Sequence, residues 1–338
     1  ATVGGGISCQ ATGDSSVNSG GYFNLSTNTY TTVGGGRQNQ ANAARSTISG
    51  GSGNNANGEK SSIGGGLSNT ASGESSTVGG GESNTASGIR STVSGGENNT
   101  ASNTNATVAG GISNTSSGNR GTVSGGENNT ASNTNATVGG GVSNIASGLR
   151  SFVGGGLSNT ATDQYSTVGG GRLNTASDLY STVGGGAGND ATNDYSTVGG
   201  GQDNIASGAR ATVSGGQDNT ASGYGATISG GLQAVALRYG QFAHASGRFV
   251  QIGDAQFSRY VLRTATTDAT ANVELFLDGT GGINTITIPE GTAYQFHIYI
   301  TSIQQTGNNA KSSEITGLIR RESGQNATIV GQHTDGNK

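Results

Sequence analysis

Apolar residues recur along this chain with a fixed period of 15. A Val or Ile, here called the marker, precedes a glycine-rich cluster at position 33 and at every fifteenth position up to 228, and Val3 has the same phase. Asn18 occupies the marker position of the second copy, with Val17 beside it. Sixteen copies lie between residue 1 and about residue 240. A short repeat with a fixed period is typical of solenoid proteins.

The consensus of one copy, S-T-V-G-G-G-x-x-N-T-A-S-G-x-x, predicts two short strands. In S-T-V the Ser and Val share one face, and in N-T-A the Asn and Ala share one face, so that both Thr side chains point away. Alternation with period 2 indicates a strand, whereas a helix would need a 3.6-residue stripe. Glycines after each strand supply the positive φ angles of tight turns. We therefore expect each copy to form one coil of two strands and two turns.

Stacked coils would place equivalent residues about 4.8 Å apart, so the repeat would form a rod of roughly 75 Å. A column of identical Asn side chains can form amide ladders between coils, and the marker column can fill the interior. We therefore assign these columns a role in holding the coils together and not in binding a ligand. The ladder residues include Asn39, Asn69, Asn99, Asn129, Asn159, Val78, Val123 and Val168.

Each coil has only one Val or Ile and one Ala as its regular apolar residues. Such a thin coil has little interior of its own, so we expect several chains to pool their apolar faces into a shared core. Fibres commonly assemble with cyclic symmetry. The number of chains does not follow from this argument.

The pattern V-G-G-G-x-x-N-T-A-S-G-x-x-S-T resembles the β-roll repeats in the heads of trimeric autotransporter adhesins, which have S-x-A-x-G and S-V-A-I-G half-repeats of similar length. Similar repeats occur in viral and phage fibres. The resemblance covers roughly residues 1–240 and implies a left-handed β-roll in a parallel homotrimer. This chain has V-G-G-G where adhesin heads usually have A-I-G, and this difference bears on the handedness and the strand register.

After Gly231 the repeat ends and Phe, Tyr, Leu, Ile and Arg become common. Alternating segments bounded by Gly, Asn and Asp predict a small antiparallel β domain, a sandwich or partial barrel. The predicted strands are Phe257–Ala265, Val273–Leu277, Thr285–Ile288, Tyr294–Ile303, Glu314–Arg321 and Ala327–Val330. The predicted organisation is a solenoid over 1–238, a neck over 239–256 and an antiparallel β domain over 257–338.

Part of the C-terminal region resembles a module of bacteriophage tail fibres and related structural proteins, which also occurs in bacterial surface proteins. The similar segments are Y-G-Q-F-A-H-A-S-G-R-F at 239–249, G-D-A-Q-F-S at 253–258, V-L-R-T-A-T-T-D-A-T at 261–270 and E-L-F-L-D-G at 274–279. The resemblance covers only about 90 residues and implies no catalytic role. In that family the β domain usually extends further, which implies truncation at Lys338.

The composition fits a regular structure better than a disordered chain. Of 338 residues, 65 are Gly and one is Pro, and the net charge is only −4, whereas disordered chains usually combine low hydrophobicity with high net charge or many prolines. The sequence has no cluster of Lys and Arg that would indicate a nucleic-acid partner. It also has no apolar run long enough for direct membrane insertion as a helix. Cys9 is the single cysteine, so an intrachain disulfide is excluded. Because Ala1 lies inside a repeat, we expect a processed N-terminus or a fragment.

The sequence offers no candidate for catalysis, a cofactor or a metal, so we expect a protein that is not an enzyme. Glycine clusters bind phosphate between a strand and a helix, and no helix is predicted here. The calcium-binding nonapeptide needs an Asp that is missing from almost every copy. His244, His297 and His333 share no ligand spacing, and no Ser-His-Asp or paired-carboxylate arrangement can be assigned.

One column, three residues before the marker, is rich in Tyr and Arg, the residue types most enriched at binding hot spots. Its members are Tyr30, Arg45, Lys60, Arg90, Arg120, Arg150, Tyr165, Tyr180, Tyr195 and Arg210. Such a row could contact a glycan, a receptor or another fibre. The alternative is an edge row that covers a turn and makes interchain hydrogen bonds, and we favour this simpler interpretation.

These observations favour an extracellular structural and adhesive fibre segment, belonging to a phage tail or virion fibre or to a bacterial surface adhesin. An ice-binding solenoid is an alternative, although S-T-V offers one outward Thr per strand where ice-binding faces use T-x-T. A polysaccharide-cleaving tailspike is a second alternative, which would need clustered carboxylates that the sixteen copies do not show. No cofactor is expected, and the expected partners are other copies of the chain and a cell-surface glycan or receptor.

Overall fold

The computed structural model describes residues 1–248, 250–264, 275–279, 285–286, 288, 292–303 and 310–335. Contacts divide the chain into two compact units, Ala1–Val261 and Leu262–Lys338. The described residues form strands and turns without any helix, and hence without a helix that could cross a membrane. The predicted all-β fold, a solenoid followed by a small antiparallel unit, is confirmed.

The first sheet of the solenoid contains the strands that carry the marker, here called the Val strands. They are Thr2–Val3, Val17–Asn18, Thr32–Val33, Thr47–Ile48, Ser62–Ile63, Thr77–Val78, Thr92–Val93, Thr107–Val108, Thr122–Val123, Thr137–Val138, Phe152–Val153, Thr167–Val168, Thr182–Val183, Thr197–Val198, Thr212–Val213, Thr227–Leu232 and Phe242–Ser246. A final strand, Gln256–Arg259, joins this sheet in the antiparallel direction.

The second sheet contains the strands that carry the Ala column, here called the Ala strands. They are Gln10–Ala11, Leu25–Ser26, Gln40–Ala41, Asn55–Ala56, Thr70–Ala71, Thr85–Ala86, Thr100–Ala101, Thr115–Ser116, Thr130–Ala131, Ile145–Ala146, Thr160–Ala161, Thr175–Ala176, Asp190–Ala191, Ile205–Ala206, Thr220–Ala221 and Val235–Ala236. A ladder of single bridges from Ile7 to Leu232 runs between the two sheets along the chain of coils.

The register repeats with the sequence period throughout both sheets. Val93 pairs in parallel with Val108 and Val123 with Val138, and on the Ala strands Thr85 pairs with Thr100. Every coil therefore places a given side chain above its equivalent in the preceding coil. The fold confirms a stack of sixteen coils, to which Phe242–Ser246 adds the first strand of a seventeenth.

The interior of the solenoid is complete within one chain. From Val33 to Ile228 every marker side chain has no exposed surface, and the Ala column is equally buried from Ala41 to Ala236. The Asn column and the Ser before the marker also point inward, as the alternation predicts. The expectation that one coil is too thin to have an interior is therefore wrong, because the two sheets of a coil cover each other.

Glycine serves two different purposes at the turns. Gly126 has a φ of 88°, and a Cβ there would lie 2.1 Å from the carbonyl oxygen of Gly141 in the next coil. Gly88 has an ordinary φ, but a Cβ there would lie 1.9 Å from the carbonyl oxygen of Asn103. Part of the glycine pattern therefore reflects the close approach of successive coils, in addition to the positive φ angles predicted from the sequence.

A cap closes the C-terminal end of the solenoid. Gln256 accepts a hydrogen bond from the N–H of Val235 (2.8 Å) and donates one to its carbonyl oxygen (2.8 Å). The side-chain amide thus substitutes for the backbone of a further Ala strand. Strand Gln256–Arg259 spans the position where the sequence predicted the C-terminal domain to begin, and it pairs with the last Val strand, Phe242–Ser246.

The second unit contains an antiparallel sheet of three strands, Thr292–Ile303, Ala310–Arg321 and Thr328–Asp335. They correspond to the predicted strands at 294–303, 314–321 and 327–330. A bridge between Arg263 and Phe276 adds a separate pairing. Of the predicted strand at 273–277, the described residues 275–277 contain only the bridge at Phe276. In the predicted strand at 285–288, the described residues 285, 286 and 288 belong to no strand, and the other residues of both predicted strands lie outside the described part of the chain.

Candidate interaction surface

The row of Tyr and Arg side chains lies at the corner between each Ala strand and the next Val strand. All ten predicted residues have a left-handed backbone, with φ between 54° and 60°. Their N–H groups donate to the preceding coil, as Tyr195 does to the carbonyl oxygen of Leu179 (2.8 Å). This conformation costs an L-residue roughly 1–2 kcal/mol. The row is thus held in one orientation by the backbone of every coil.

Three of these residues form a continuous aromatic stack. The Tyr165 and Tyr180 rings are 4.7 Å apart and nearly parallel (4°), and the Tyr180 and Tyr195 rings are 5.0 Å apart (14°). The Arg150 guanidinium lies 5.4 Å from the Tyr165 ring centre and donates a hydrogen bond to its hydroxyl. Because the inner ring faces cover each other, the stack presents mainly ring edges and hydroxyl groups to a partner.

A second aromatic pair continues this corner toward the cap and was missed from the sequence. The Tyr224 and Tyr239 rings stack at 5.1 Å, and the Arg210 guanidinium lies 5.4 Å from the Tyr224 ring. These tyrosines stand one residue earlier in the repeat, because Gly225 and Gly240 occupy the left-handed position. A Tyr-Gly dipeptide in place of x-Tyr is the signal that could have revealed them.

The other predicted contact residues have different neighbours. Arg45 pairs with Glu59 (3.1 Å), and Lys60 pairs with Glu59 (3.2 Å) and Glu74 (3.7 Å). These ion pairs are exposed, and such pairs typically contribute 1 kcal/mol or less. The surrounding charges hold the pKa of Glu59 below its usual value, chiefly through its hydrogen bond with Lys60. Within the predicted column, Arg45 and Lys60 therefore belong to a charged cluster, and the aromatic stack begins at Arg150.

Three carboxylates lie beside the tyrosine stack on successive coils. Asp163 and Asp178 occupy one repeat position, and Asp194 the next. Desolvation raises the pKa of Asp194, and a hydrogen bond with Asp178 and the charges of Asp178 and Asp163 raise it further. No carboxylate cluster is recognisable in the sequence because these residues are 15 and 16 positions apart. Among the residues that the structure describes, no His, Cys, Asp and Glu side chains form a group suited to a metal ion.

The Asn ladder lies inside the solenoid, away from this corner. Asn129 donates from its backbone N–H to the Asn114 side chain (2.9 Å), and its own side-chain oxygen accepts from the N–H of Asn144 (3.0 Å). Its amide group also donates to the carbonyl oxygens of Gly125 (2.9 Å) and Gly141 (2.8 Å). The same pattern recurs at the predicted ladder residues Asn39, Asn69, Asn99 and Asn159, and Val78, Val123 and Val168 lie fully buried beside them.

The histidines lie in separate places. His244 is near Ser229, with 3.2 Å between its Nδ1 and the Ser229 hydroxyl oxygen, and His297 pairs with Glu314 in the C-terminal sheet. The side chain of His333 lies outside the described part of the chain. The structure thus places His244 and His297 in different units of the protein.

The outward face of the Ala strands carries two parallel columns of hydroxyl groups. In T-A-S the Ala points inward, and Thr100 and Ser102 both point outward. The same arrangement occurs at 70/72, 85/87, 115/117 and 130/132, which makes five consecutive coils. A single outward Thr per strand is therefore a property of S-T-V on the Val strands, whereas each of these Ala segments has two outward hydroxyl groups.

Comparison of the chain with protein-family models and with curated proteins finds no match to either. The fold itself defines the class of protein, a repetitive β-solenoid with a small antiparallel β unit. Such a fold is compatible with a fibrous structural protein.

Proposed function

We propose that this chain is a non-enzymatic structural and adhesive segment of an extracellular fibre, carried by a virion or by a bacterial surface. The observation that carries the proposal is the uninterrupted stack of sixteen coils with one register and one buried core. A stack of this kind forms a rod of roughly 75 Å. Its stability is close to a sum of equal coil and neighbour contributions, which suits a spacer that holds a contact site away from a surface.

We propose a parallel homotrimer with a left-handed solenoid as the working form. The support is the likeness of V-G-G-G-x-x-N-T-A-S-G to the adhesin repeat. Because each chain completes its own core, association would use the outward surfaces of the coils or the C-terminal unit. Three parallel copies would present the same corner three times, and weak contacts repeated in this way increase the overall affinity through avidity.

The proposed contact site is the aromatic corner from Arg150 to Arg210. Tyr180 and Tyr195 are 43% and 49% exposed although they are stacked, so their hydroxyl groups and ring edges are accessible. The neighbouring carboxylates of Asp163, Asp178 and Asp194 add hydrogen-bond acceptors. Hydroxyl and carboxylate groups in a regular row suit a cell-surface glycan, which offers many hydroxyl donors.

Assembly is tested by light scattering and electron microscopy on the soluble chain. We expect a mass of about three times 33.1 kDa and elongated particles. A folded monomer would rule out the trimer, and compact particles would rule out the stalk.

Adhesion is tested by binding of the labelled protein to bacterial cells and to a glycan array. The variant Tyr165→Asn/Tyr180→Asn/Tyr195→Asn should lose binding, because Asn keeps the left-handed backbone but removes the rings and hydroxyl groups. Asn stands in this position naturally at Asn105 and Asn135, so the substitution suits the fold. The matched control, Thr167→Asn/Thr182→Asn/Thr197→Asn on the Val strands of the same region, should retain binding. Release of reducing ends from the bound polysaccharide would instead indicate a tailspike enzyme.

A second candidate function, ice binding, is favoured by the paired hydroxyl columns on the Ala strands. Hydroxyls repeat about 4.8 Å apart along the stack and about 6.6 Å apart within T-A-S. A rigid, flat array of this kind can hold water in ordered positions. Thermal hysteresis separates the candidates, and Thr85→Lys/Thr100→Lys/Thr115→Lys should abolish it while Thr92→Lys/Thr107→Lys/Thr122→Lys on the other sheet should not. Absence of hysteresis in the unmodified protein would exclude this candidate.

A further inference from the structure

The three-stranded sheet of the C-terminal unit has one apolar face. Directly paired residues of an antiparallel sheet share a face, and the pairs Ile298–Ile315 and Ile319–Ile329 both lie on the same side. The apolar face comprises Tyr294, Phe296, Ile298, Ile300, Ile315, Ile319 and Ile329. Its central part, residues 294–300 and 313–319, carries no charged side chain on this side.

The opposite face is polar. It carries Gln295, His297 and Thr316 in its centre, and His297 pairs there with Glu314. Tyr299 and Leu318 are the larger apolar residues on this side, at 73% and 40% exposure. One polar and one apolar face is the pattern of a sheet that is covered on one side only.

The described chain covers the apolar face only in part, since Tyr294, Phe296, Ile315 and Ile319 are half-buried. Ile298 is 43% exposed, Ile300 is 39% exposed and Ile329 is 57% exposed, and no described side chain of the three strands is buried. The solenoid is the opposite case, since its marker and Ala columns have no exposed surface. A small sheet needs a packed apolar face to be stable, and the described residues of these three strands do not supply the packing.

We propose that the apolar face of the C-terminal sheet packs against the same face in other copies of this chain. The proposal rests on the oligomer suggested above and assigns its driving interface. Closed symmetric packing covers the same face in every copy at once. An uncharged centre that contains several Ile residues is suited to pack against the same face of another copy.

The area of the face is sufficient for such an interface. Two strands of twelve residues and one of eight, about 4.8 Å apart and at about 3.4 Å per residue, define a face of roughly 500 Å² per chain. Two such faces packed against each other bury roughly 1,000 Å², the lower limit for a specific interface. The C-terminal unit, and not the solenoid, is then the part that requires association.

The first experiment compares two double variants of the full chain by light scattering. Ile298→Ser/Ile300→Ser weakens the apolar face and should shift the mass from the oligomer to 33.1 kDa, while the solenoid keeps its thermal melting. Tyr299→Ser/Leu318→Ser removes two exposed apolar residues from the opposite face and should leave the oligomer intact. Dissociation by both pairs, or by neither, would overturn the assignment of this face.

The second experiment does not depend on weakening the sheet. Cys9 is the only cysteine, so the variant Cys9→Ser has no thiol and a single new cysteine can be introduced at a chosen position. Ile298→Cys should form intermolecular disulfides on mild oxidation, and Tyr299→Cys on the opposite face should not. An oligomer that gives no disulfide with Ile298→Cys would overturn this inference but leave the fibre proposal standing. A monomeric unmodified chain would overturn both.

Discussion

At the residue scale, the residue type at each repeat position depends on whether the side chain points inward or outward and on the φ angle of the backbone. Besides the positive-φ glycines, two positions per coil have the αL conformation, and most of these are occupied by Ser, Asn, Arg or Tyr and not by Gly. Asn tolerates this conformation well, but Arg and Tyr do not favour it. Their presence indicates that the corner is built for the outward side chain as well as for the turn.

Removal of one ladder amide should destabilise the stack. In Asn129→Ala the buried N–H of Asn144 and the carbonyl oxygens of Gly125 and Gly141 each lose a hydrogen bond. The Asn144 N–H is left unpaired in the interior, which costs about 1–3 kcal/mol. The Gly141 carbonyl keeps its bond from the Glu127 N–H, so we expect a total loss of about 3 kcal/mol in the free energy of unfolding. Denaturant unfolding measures this loss.

The internal duplication supplies a matched comparison for that variant. Residues 92–108 and 122–138 are identical, so Asn99→Ala should cost the same as Asn129→Ala. Thr130→Val, which changes the neighbouring outward side chain, should be nearly silent. Equal effects of Thr130→Val and Asn129→Ala would contradict the inward ladder.

A second residue-scale prediction concerns pH. Burial raises the pKa of Asp190, the charge of Asp203 raises it further, and a hydrogen bond from Thr175 opposes the shift. Since the folded pKa lies above the unfolded one, the charged form destabilises the fold at neutral pH, and this cost disappears as the pH falls through the folded value. Asp190→Thr, the consensus residue, should therefore raise the melting temperature at pH 7, with a smaller gain near pH 3.

The reciprocal substitution is the control for this prediction. Thr160→Asp places a carboxylate at the same position two coils earlier and should lower the melting temperature at pH 7 but not near pH 3. A pH-independent difference in either variant would show that charge is not the cause.

At the element scale, each coil is stabilised by backbone hydrogen bonds with the next coil. The last coil has no following coil, so other groups must make these hydrogen bonds. Solenoids require such terminal caps, since an unpaired edge invites association with another edge. Gln256 supplies the substitute for Val235, and Gln241, buried at 3% exposure, donates to the Ser258 hydroxyl (3.0 Å). The cap thus uses side-chain amides to imitate a strand.

Loss of the Gln256 amide should open this end of the solenoid. Gln256→Leu leaves the N–H of Val235 without its partner, and we expect a lower onset of thermal melting and concentration-dependent aggregation. Gln251→Leu, an equivalent change at an exposed residue, should show neither effect in melting or light scattering. Similar behaviour of the two variants would mean that the cap does not protect the edge.

At the scale of the whole molecule, the solenoid should tolerate changes of length in whole coils. Deletion of Val93–Thr122 joins Thr92 to Val123 and removes about 10 Å of rod, and deletion of Val93–Thr107 removes half of that. Both products keep every ladder in register. We therefore expect cooperative thermal melting in both, and a mass per chain that is reduced only by the deleted residues. Deletion of Val93–Asn99 swaps the two sheets beyond the cut and should unfold the protein. If the 30-residue deletion were as damaging as this one, those coils would carry a specific site.

The sequence alone determined the repeat, the two strands of each coil and the inward direction of the marker, Asn and Ala columns. A strict period combined with alternation leaves one way to stack the chain, because a slip of one residue would turn Val93 or Asn99 outward. The C-terminal strands at 292–303 and 310–321 were also largely predictable, since alternation in 294–300 needs no knowledge of the partner strands, whereas the third strand extends to Asp335, beyond its predicted end at Val330.

Only the tertiary structure decided how those elements meet. The two sheets of a coil cover each other, so one chain buries its core, and this depends on the distance across the coil and not on periodicity. Stacking brings Tyr165 to Tyr180 and Asp178 to Asp194, residues too far apart along the chain to be recognised as neighbours. The cap at Gln256 and the exposure of Ile298 could not be predicted either, because burial depends on the space around a side chain, whereas the sequence pattern describes only its direction.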